Sequence, residues 1–329
     1  MNIVAPSPEA IRQAAEALRV GELVAMPTET VYGLAADALD PDAVARVFAL
    51  KGRPADHPLI VHLPSADHLT RWAAAVPKDA IALARAFWPG PLTLILRRDP
   101  SVPDEVTGGQ DTVGLRVPAH PVAQALLQAF DSGLAAPSAN RFGRISPTTA
   151  QHVADEFGDE LRWILDGGAC GIGIESTILD LSGSGPVILR PGAISADAIA
   201  AVIGRQPRVG ADMAETAPRV SGSLAAHYAP HTPLELVALE NLPLRVAELA
   251  GQHLALLVRG VAPSGGQIQA LCAPHDAVGY AHDLYANLRH LDALGVARIL
   301  VETPPESEEW QAVTDRLNRA AAGSGAEGA

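Results

Sequence analysis

The sequence predicts an α/β chain of α+β character: a mixed sheet with helices over residues 1–204, a linker over 205–233, and a small Rossmann-like parallel α/β domain over 234–329. Three observations carry this reading. Helix and strand signals alternate from the N-terminus, yet several strands follow one another without a helical crossover in the middle of the first part. Residues 204–233 are rich in Gly, Pro and Ala, and a regular strand and helix rhythm resumes after them. With 329 residues, 48% of them hydrophobic and 19% charged, the chain has the apolar material for two cores.

Ser7 caps a first helix with Pro8 at its opening position; Ile11, Ala14, Ala15 and Leu18 recur at helical spacing, and Gly21 ends it. A short strand at 23–26 runs into the polar loop Pro27-Thr28-Glu29-Thr30. Asp40-Pro41 opens a second helix through Val44, Val47 and Phe48, and Lys51-Gly52-Arg53-Pro54 reads as the loop before a strand at 59–63. Further strands are expected at 92–96, 113–117, 134–137, 163–165, 177–181 and 187–189, with helices at 121–130, 148–157 and 195–203. Beyond the linker, strands at 234–237, 254–258 and 298–301 alternate with helices near 241–250, 277–294 and 307–322. The tail from Gly323 is expected to be disordered.

Loops at strand ends, where an α/β scaffold places its site, carry the reactive side chains here. Of 24 cations only Lys51 and Lys78 are lysines. Lys51 and Arg53, two apart in an extended loop, face the same way and either converge on one polyanion or form a solvated surface pair. Residues 27–33 offer two hydroxyls and a carboxylate on a strand-to-loop turn, or are an ordinary turn. Arg116, in what reads as a strand interior, needs a partner: a structural carboxylate, or a ligand carboxylate held by its planar fork. Pro137-Ser138-Ala139-Asn140 and Ser146 suit phosphate or ribose contacts, and helix capping explains Ser146 as well, since Pro147 follows. Glu175-Ser176-Thr177 precedes an apolar strand and Arg190-Pro191-Gly192 ends one.

Several classes fall away. The net charge of −13 disfavours a protein built to neutralise many phosphates of a nucleic acid. Cys170 and Cys272 show no ligand spacing, so neither a disulfide framework nor a structural zinc site is expected. His227 and His231 are four apart, but Pro230 spoils the helical face a metal pair would use; His57, His62 and His68 show no ligand spacing either. There is no GxSxG elbow and no GxxxxGK[ST] or GxGxxG loop, so a nucleotide would be held by another device. No apolar run reaches the roughly 18 residues that span a bilayer, and no leader pattern opens the chain, so a cytoplasmic location without membrane attachment is expected.

PTETVYGL (27–34), KGRP with PL (51–59), WPGPLTLIL (88–96), VGLRVP (113–118), APSAN (136–140), ESTILDL (175–181) and ILRPGAI (188–194), in that order, resemble the YrdC-like family over nearly all of residues 7–204. HYAP (227–230) and Asp315-Arg316-Leu317 resemble its long two-domain form, the L-threonylcarbamoyl-AMP synthases. The resemblance implies a YrdC-like twisted mixed sheet with helices and a large positive groove, linked to a Rossmann-like domain. It implies a nucleotidyltransferase reaction in which L-threonine, bicarbonate or CO2, and ATP give threonylcarbamoyl-AMP and pyrophosphate. Mg2+ would accompany the triphosphate, held mainly by nucleotide and water. A separate transferase complex would then pass the threonylcarbamoyl group to tRNA for the threonylcarbamoyladenosine modification, with no tight nucleic-acid binding by this chain.

By the family's motif positions, Thr30, His62, Arg116, the backbone at Ala136, and Ser176 would surround L-threonine. Arg53, His57, Thr112, Ser138, Ser146, Arg190 and Tyr228 would contact ATP. Lys51 and Arg53 would serve catalysis, Lys51 as a cation on phosphate or carbamate; no metal ligand is assigned. Position 57 is His where the family commonly has Asn, and 221–224 reads Ser-Gly-Ser-Leu where many members have Pro-Gly-Met before the last residue. Two rivals stand beside this reading. An RNA-binding module of YrdC-like fold meets the −13 charge and the lack of aromatic residues interleaved with basic ones. A carbamoyl transferase subunit of metalloenzyme maturation usually carries fused acylphosphatase and zinc-finger segments, for which this chain lacks the length and the cysteines.

Overall fold

A computed structural model describes residues 2–209, 217–260 and 268–325. They form two compact units: Met1–Phe142 with Pro147–Ser223, and Gly143–Ser146 with Leu224–Ala329. In the first unit, strands β1 (Ile3–Val4), β2 (Val24–Met26), β3 (Gly33–Asp37), β4 (Ile60–His62), β5 (Leu92–Arg97), β6 (Thr112–Arg116), β7 (Leu134–Ala135), β8 (Trp163–Leu165), β9 (Thr177–Asp180), β10 (Val187–Arg190) and β11 (Arg208–Val209) make one sheet. Its order is β1-β8-β2-β3-β7-β4-β6-β5-β9-β10-β11. The pairing is mixed, with β4 and β6 parallel, β5 and β9 parallel, and β5 and β6 antiparallel.

The central strands have two different faces. Ile60 lies opposite Gly114 and His62 opposite Arg116, while Ile95 pairs with Gly114 and Ile178 with Thr93. Side chains alternate along a strand. Val61, Leu94, Leu96, Val113, Leu115 and Leu179 therefore share one face, which packs into the main core with Val44, Val47 and Phe48 of helix Pro41–Lys51 and Leu83 of helix Lys78–Phe87. The opposite face presents Ile60, His62, Thr93, Ile95, Thr112, Gly114, Arg116 and Ile178. A second cluster packs helices Pro8–Arg19 and Pro121–Phe130 onto Val24, Met26 and Leu134.

Local chemistry explains the elements. The Ser7 hydroxyl accepts the N–H of Ala10 at 3.1 Å, Pro8 opens the helix, and its apolar stripe is buried as the spacing predicts. Asp40 caps helix Pro41–Lys51, which ends at Gly52 in the left-handed region with φ +63°.

The structure corrects several expectations. Lys51 is the last helical residue and not part of an extended loop, so the left-handed turn at Gly52 sets its relation to Arg53. Arg116 ends β6; it is not in a strand interior. Strand β3 and helix Lys78–Phe87 went unread because their apolar contrast rests largely on alanine. The helix expected from 148 starts at Ala150, and its N-cap is Thr149. Arg208–Val209, inside the expected linker, pairs with β10, and Arg219 exchanges hydrogen bonds with Gln110 at 2.7 and 3.1 Å. The part of the linker at 210–216 lies outside the described residues.

In the second unit, β12 (Leu234–Val237), β13 (Leu254–Val258), β14 (Ile268–Cys272) and β15 (Arg298–Glu302) form a wholly parallel sheet in the order β12-β15-β13-β14. Leu254, Leu256, Val258 and Leu300 hold its core. Nothing in the sequence signals β14, an edge strand of five residues of which three are exposed. The tail departs from expectation at its start: Gly323 ends helix Gln311–Gly323, and the Ser324 hydroxyl accepts the N–H of Leu234 at 2.8 Å. Residues 326–329 of that tail lie outside the described residues.

The loop after β10 touches the start of β9. A Cβ on Gly192 would come within 2.4 Å of the Thr177 nitrogen and 2.7 Å of the Ser176 carbonyl carbon, both backbone atoms. Gly192→Ala is expected to cost about 1–3 kcal/mol and to lower the calorimetric unfolding midpoint by several degrees. Gly185→Ala, with nothing within 4 Å, should leave the midpoint unchanged. Equal midpoints for the two variants would contradict the close approach.

Candidate active site

On the sheet face turned from the main core, His62 and Arg116 stand side by side on β4 and β6, 3% and 4% exposed. The Arg116 Nε donates to the Gly90 carbonyl at 3.2 Å, and its Nη2 lies 2.7 Å from Glu29 Oε1. Glu29 Oε2 accepts the Ala119 N–H at 2.9 Å. Burial, and after it the Arg116 charge, lower the His62 pKa from 6.5 to about 3, so the ring is neutral at physiological pH. Its Nδ1 is buried with no hydrogen-bond partner among the described residues.

Hydroxyls border this pair of residues. The Thr28 Oγ1 accepts the N–H groups of Thr30 and Val31, each at 3.2 Å, and lies 2.8 Å from the Thr30 hydroxyl, closing the turn between β2 and β3. The Ser176 Oγ is 2.8 Å from Thr93 Oγ1 and accepts from Arg190 Nη2 at 3.1 Å. Ala136, just past β7, donates its N–H to Ile60 O at 3.0 Å.

A second group gathers around Phe142. The Lys51 ammonium donates to the carbonyls of Ser138, at 2.6 Å, and Asn140. Burial, and then the neighbouring Arg53 charge, push its pKa well below the usual lysine range. Arg53 Nη2 donates to Pro58 O at 3.0 Å and Ser221 Oγ at 3.1 Å, and its guanidinium sits 5.7 Å from the Phe142 ring centroid. His57 meets the same ring edge-on at 5.4 Å, its pKa lowered by burial and then by Arg53. Arg190 donates through Nε to Ser176 O at 3.1 Å and through Nη1 to Ser221 O at 2.9 Å. Thr112, Ile60, Ile95 and Ile178 line a narrow pocket on the sheet face, bordered by Val220 and Ser221.

Thr30, His62, Arg116, Ala136 and Ser176, with Lys51, Arg53, His57, Thr112, Ser138 and Arg190, all lie in the first unit. Ser146 and Tyr228 belong to the second. There Tyr228, buried with φ +59°, packs against His227 and Tyr285 at 4.1 and 5.6 Å between ring centroids. The fully buried Arg316 guanidinium sits 5.5 Å from the Tyr228 ring centroid and pairs with Asp315 at 2.9 Å. Sequence reasoning did not assign Glu29, Thr93, Phe142 or Ser221. Glu29 had a visible signal, a carboxylate between two threonines. Ser221 had none, because it meets Arg53 only through the fold. Buried cations beside hydroxyls, on strand and helix ends and the loops next to them, suit a site that gathers anions and aligns reactants.

The family described as "Telomere recombination" (Sua5, YciO and YrdC) matches residues 16–192, and "Threonylcarbamoyl-AMP synthase, C-terminal domain" matches residues 194–322. The threonylcarbamoyl-AMP synthase of Pyrococcus abyssi (strain GE5 / Orsay) is 42% identical over 321 residues, covering 94% of this chain and 93% of its own. That of Bacillus subtilis (strain 168) is 39% identical over 332 residues, covering 95% and 93%. The crystal structure of P. abyssi Sua5 complexed with L-threonine superposes with a TM-score of 0.89 at 38% identity over 98% of both chains. The chain belongs to the two-domain Sua5 family of threonylcarbamoyl-AMP synthases.

Proposed function

We propose that this protein joins L-threonine, bicarbonate or CO2, and ATP to form threonylcarbamoyl-AMP and pyrophosphate. The observation that carries the reading is the Arg116 guanidinium beside neutral His62, bordered by hydroxyls and near a separate group of buried cations. Arg116 takes the threonine carboxylate. A neutral His62 does not compete for that carboxylate and offers a hydrogen-bonding ring nitrogen to the amino acid, while Thr30, Ser176 and the Ala136 backbone complete the pocket. The threonine nitrogen forms a bond to the carbon of CO2 and loses a proton, or to the carbon of bicarbonate with loss of water, to give a carbamate; a carbamate oxygen then attacks the α-phosphorus as the bond to pyrophosphate breaks.

No covalent protein nucleophile is needed. Arg53 and Arg190 offset charge on the nucleotide, with His57, Thr112 and Ser138 as further ATP contacts, and Lys51 holds the Ser138 and Asn140 carbonyls in place while adding positive charge. The described residues bring together no group of three or more His, Cys, Asp or Glu that could hold a metal ion. Mg2+ in this reading arrives on the triphosphate, held by nucleotide and water. A separate transferase complex consumes the product on tRNA; the −13 charge of this chain supports product release over tRNA docking. We place the protein in the cytoplasm, with its substrates; no helix among the described residues is long and apolar enough to cross a membrane.

Pyrophosphate release should require threonine, bicarbonate and ATP together, because without carbamate there is no nucleophile. An enzyme-coupled pyrophosphate assay with each component omitted in turn checks this, and undiminished release without threonine or bicarbonate would overturn it. The pocket also makes a stability prediction. Folded His62 stays neutral down to about pH 3, whereas the unfolded residue protonates near 6.5. The unfolded state thus binds more protons below pH 6.5, and His62 costs stability progressively as pH falls from 6.5 towards 3. His62→Asn should show a smaller drop in urea midpoint between pH 7 and pH 4 than the parent. Parallel drops would show that His62 is not held neutral.

A further inference from the structure

We propose that Glu29 is a positioning residue of the threonine pocket: it holds the inner edge of the Arg116 guanidinium so that the outer end faces the substrate carboxylate. This rests on the threonine reading above. Nε and Nη2 lie along one edge of the planar guanidinium. The protein occupies both, with Gly90 O on Nε at 3.2 Å and Glu29 Oε1 against Nη2 at 2.7 Å. Among the described residues Nε makes the one side-chain hydrogen bond of Arg116 and Nη2 meets Glu29 as an ion pair, so the far end of the fork, at Nη1, is left for a ligand.

Glu29 is itself tied down. Its second oxygen accepts the Ala119 N–H at 2.9 Å, three residues beyond Arg116 on the exit from the same strand. Its carbonyl accepts the Ile172 N–H at 2.8 Å. The Thr28 hydroxyl orders the following turn by accepting the N–H groups of Thr30 and Val31. One turn therefore delivers both the Thr30 hydroxyl and the carboxylate that aims Arg116.

Charge gives Glu29 a second duty. Arg116 is 4% exposed and its lateral neighbour His62 is neutral, so without Glu29 the pocket would hold a buried cation with no counter-charge. The nearly buried carboxylate pays that cost before substrate arrives, and it takes the edge of the guanidinium that a substrate carboxylate does not need.

The test is calorimetric titration of L-threonine, and separately of ATP, into the full chain. Glu29→Ala should weaken threonine binding about tenfold or more, the scale of one close charge pair, with ATP affinity unchanged. In an Arg116→Lys background, which has already lost the planar fork, the same substitution should add little further loss. Glu29→Gln keeps the shape and one acceptor oxygen, so its loss should be smaller, about threefold; it serves as the readout should Glu29→Ala fail to fold. Unchanged threonine affinity in both variants, parallel loss of threonine and ATP binding, or full additivity with Arg116→Lys would each overturn the assignment. A parent protein that binds threonine but releases no pyrophosphate would defeat the proposed reaction and leave this test intact, since the titration reads binding alone.

Discussion

Positive charge taken out of water organises the first unit. Lys51, Arg53, Arg116 and Arg190 are each less than a tenth exposed, at 2%, 7%, 4% and 4%. A buried ammonium or guanidinium is tolerated only with acceptors around it. The loops that carry the sequence motifs supply them: the Ser138 and Asn140 carbonyls for Lys51, Pro58 O and Ser221 Oγ for Arg53, Gly90 O and Glu29 for Arg116, Ser176 and Ser221 for Arg190. The irregular backbone between strands is thus shaped by its hydrogen-bond acceptors. Losing any one acceptor would leave a buried charge short of a partner.

A second constraint makes that arrangement accessible to a substrate. Period-2 alternation gives β4, β5, β6 and β9 an apolar face for the main core and a mixed face for chemistry, so the same few strands build the core with one set of residues and line the site with the other. Gly114 sits mid-strand on the mixed face, where a Cβ would come within 3.1 Å of the Ile95 side chain. Ile95 and Ile178 on that face cluster with Val220, which covers them with apolar surface that the strands alone do not provide. In the second unit the analogous economy is the stacking of Arg316 on Tyr228, which ties Asp315-Arg316-Leu317 to HYAP through an interior contact.

Much of this is legible in the sequence, and particular residues show why. Ser7-Pro8 and Asp40-Pro41 start helices because capping is a local property of the chain. The strand at 163–165 and the helix at 121–130 were placed at their observed bounds, since apolar periodicity needs no knowledge of partners. Lys51 was misplaced because one left-handed residue, Gly52, turns an apparent extended loop into a helix end. Strand β14 stayed hidden because an edge strand has one paired side and little to bury.

The sequence by itself determined the two-part α/β organisation, the family and the set of polar residues at the strand ends, because periodicity, caps and ordered motifs are written along the chain. Tertiary structure alone decided which of those residues meet. Glu29 reaches Arg116 across 87 positions, a difference of numbers that no local pattern encodes. Arg53 and Arg190 converge on Ser221 from 168 and 31 positions away. Such pairings depend on sheet order and register, set by the burial of apolar faces far from the charges themselves, and a polar contact carries no periodicity of its own by which it could be read in advance.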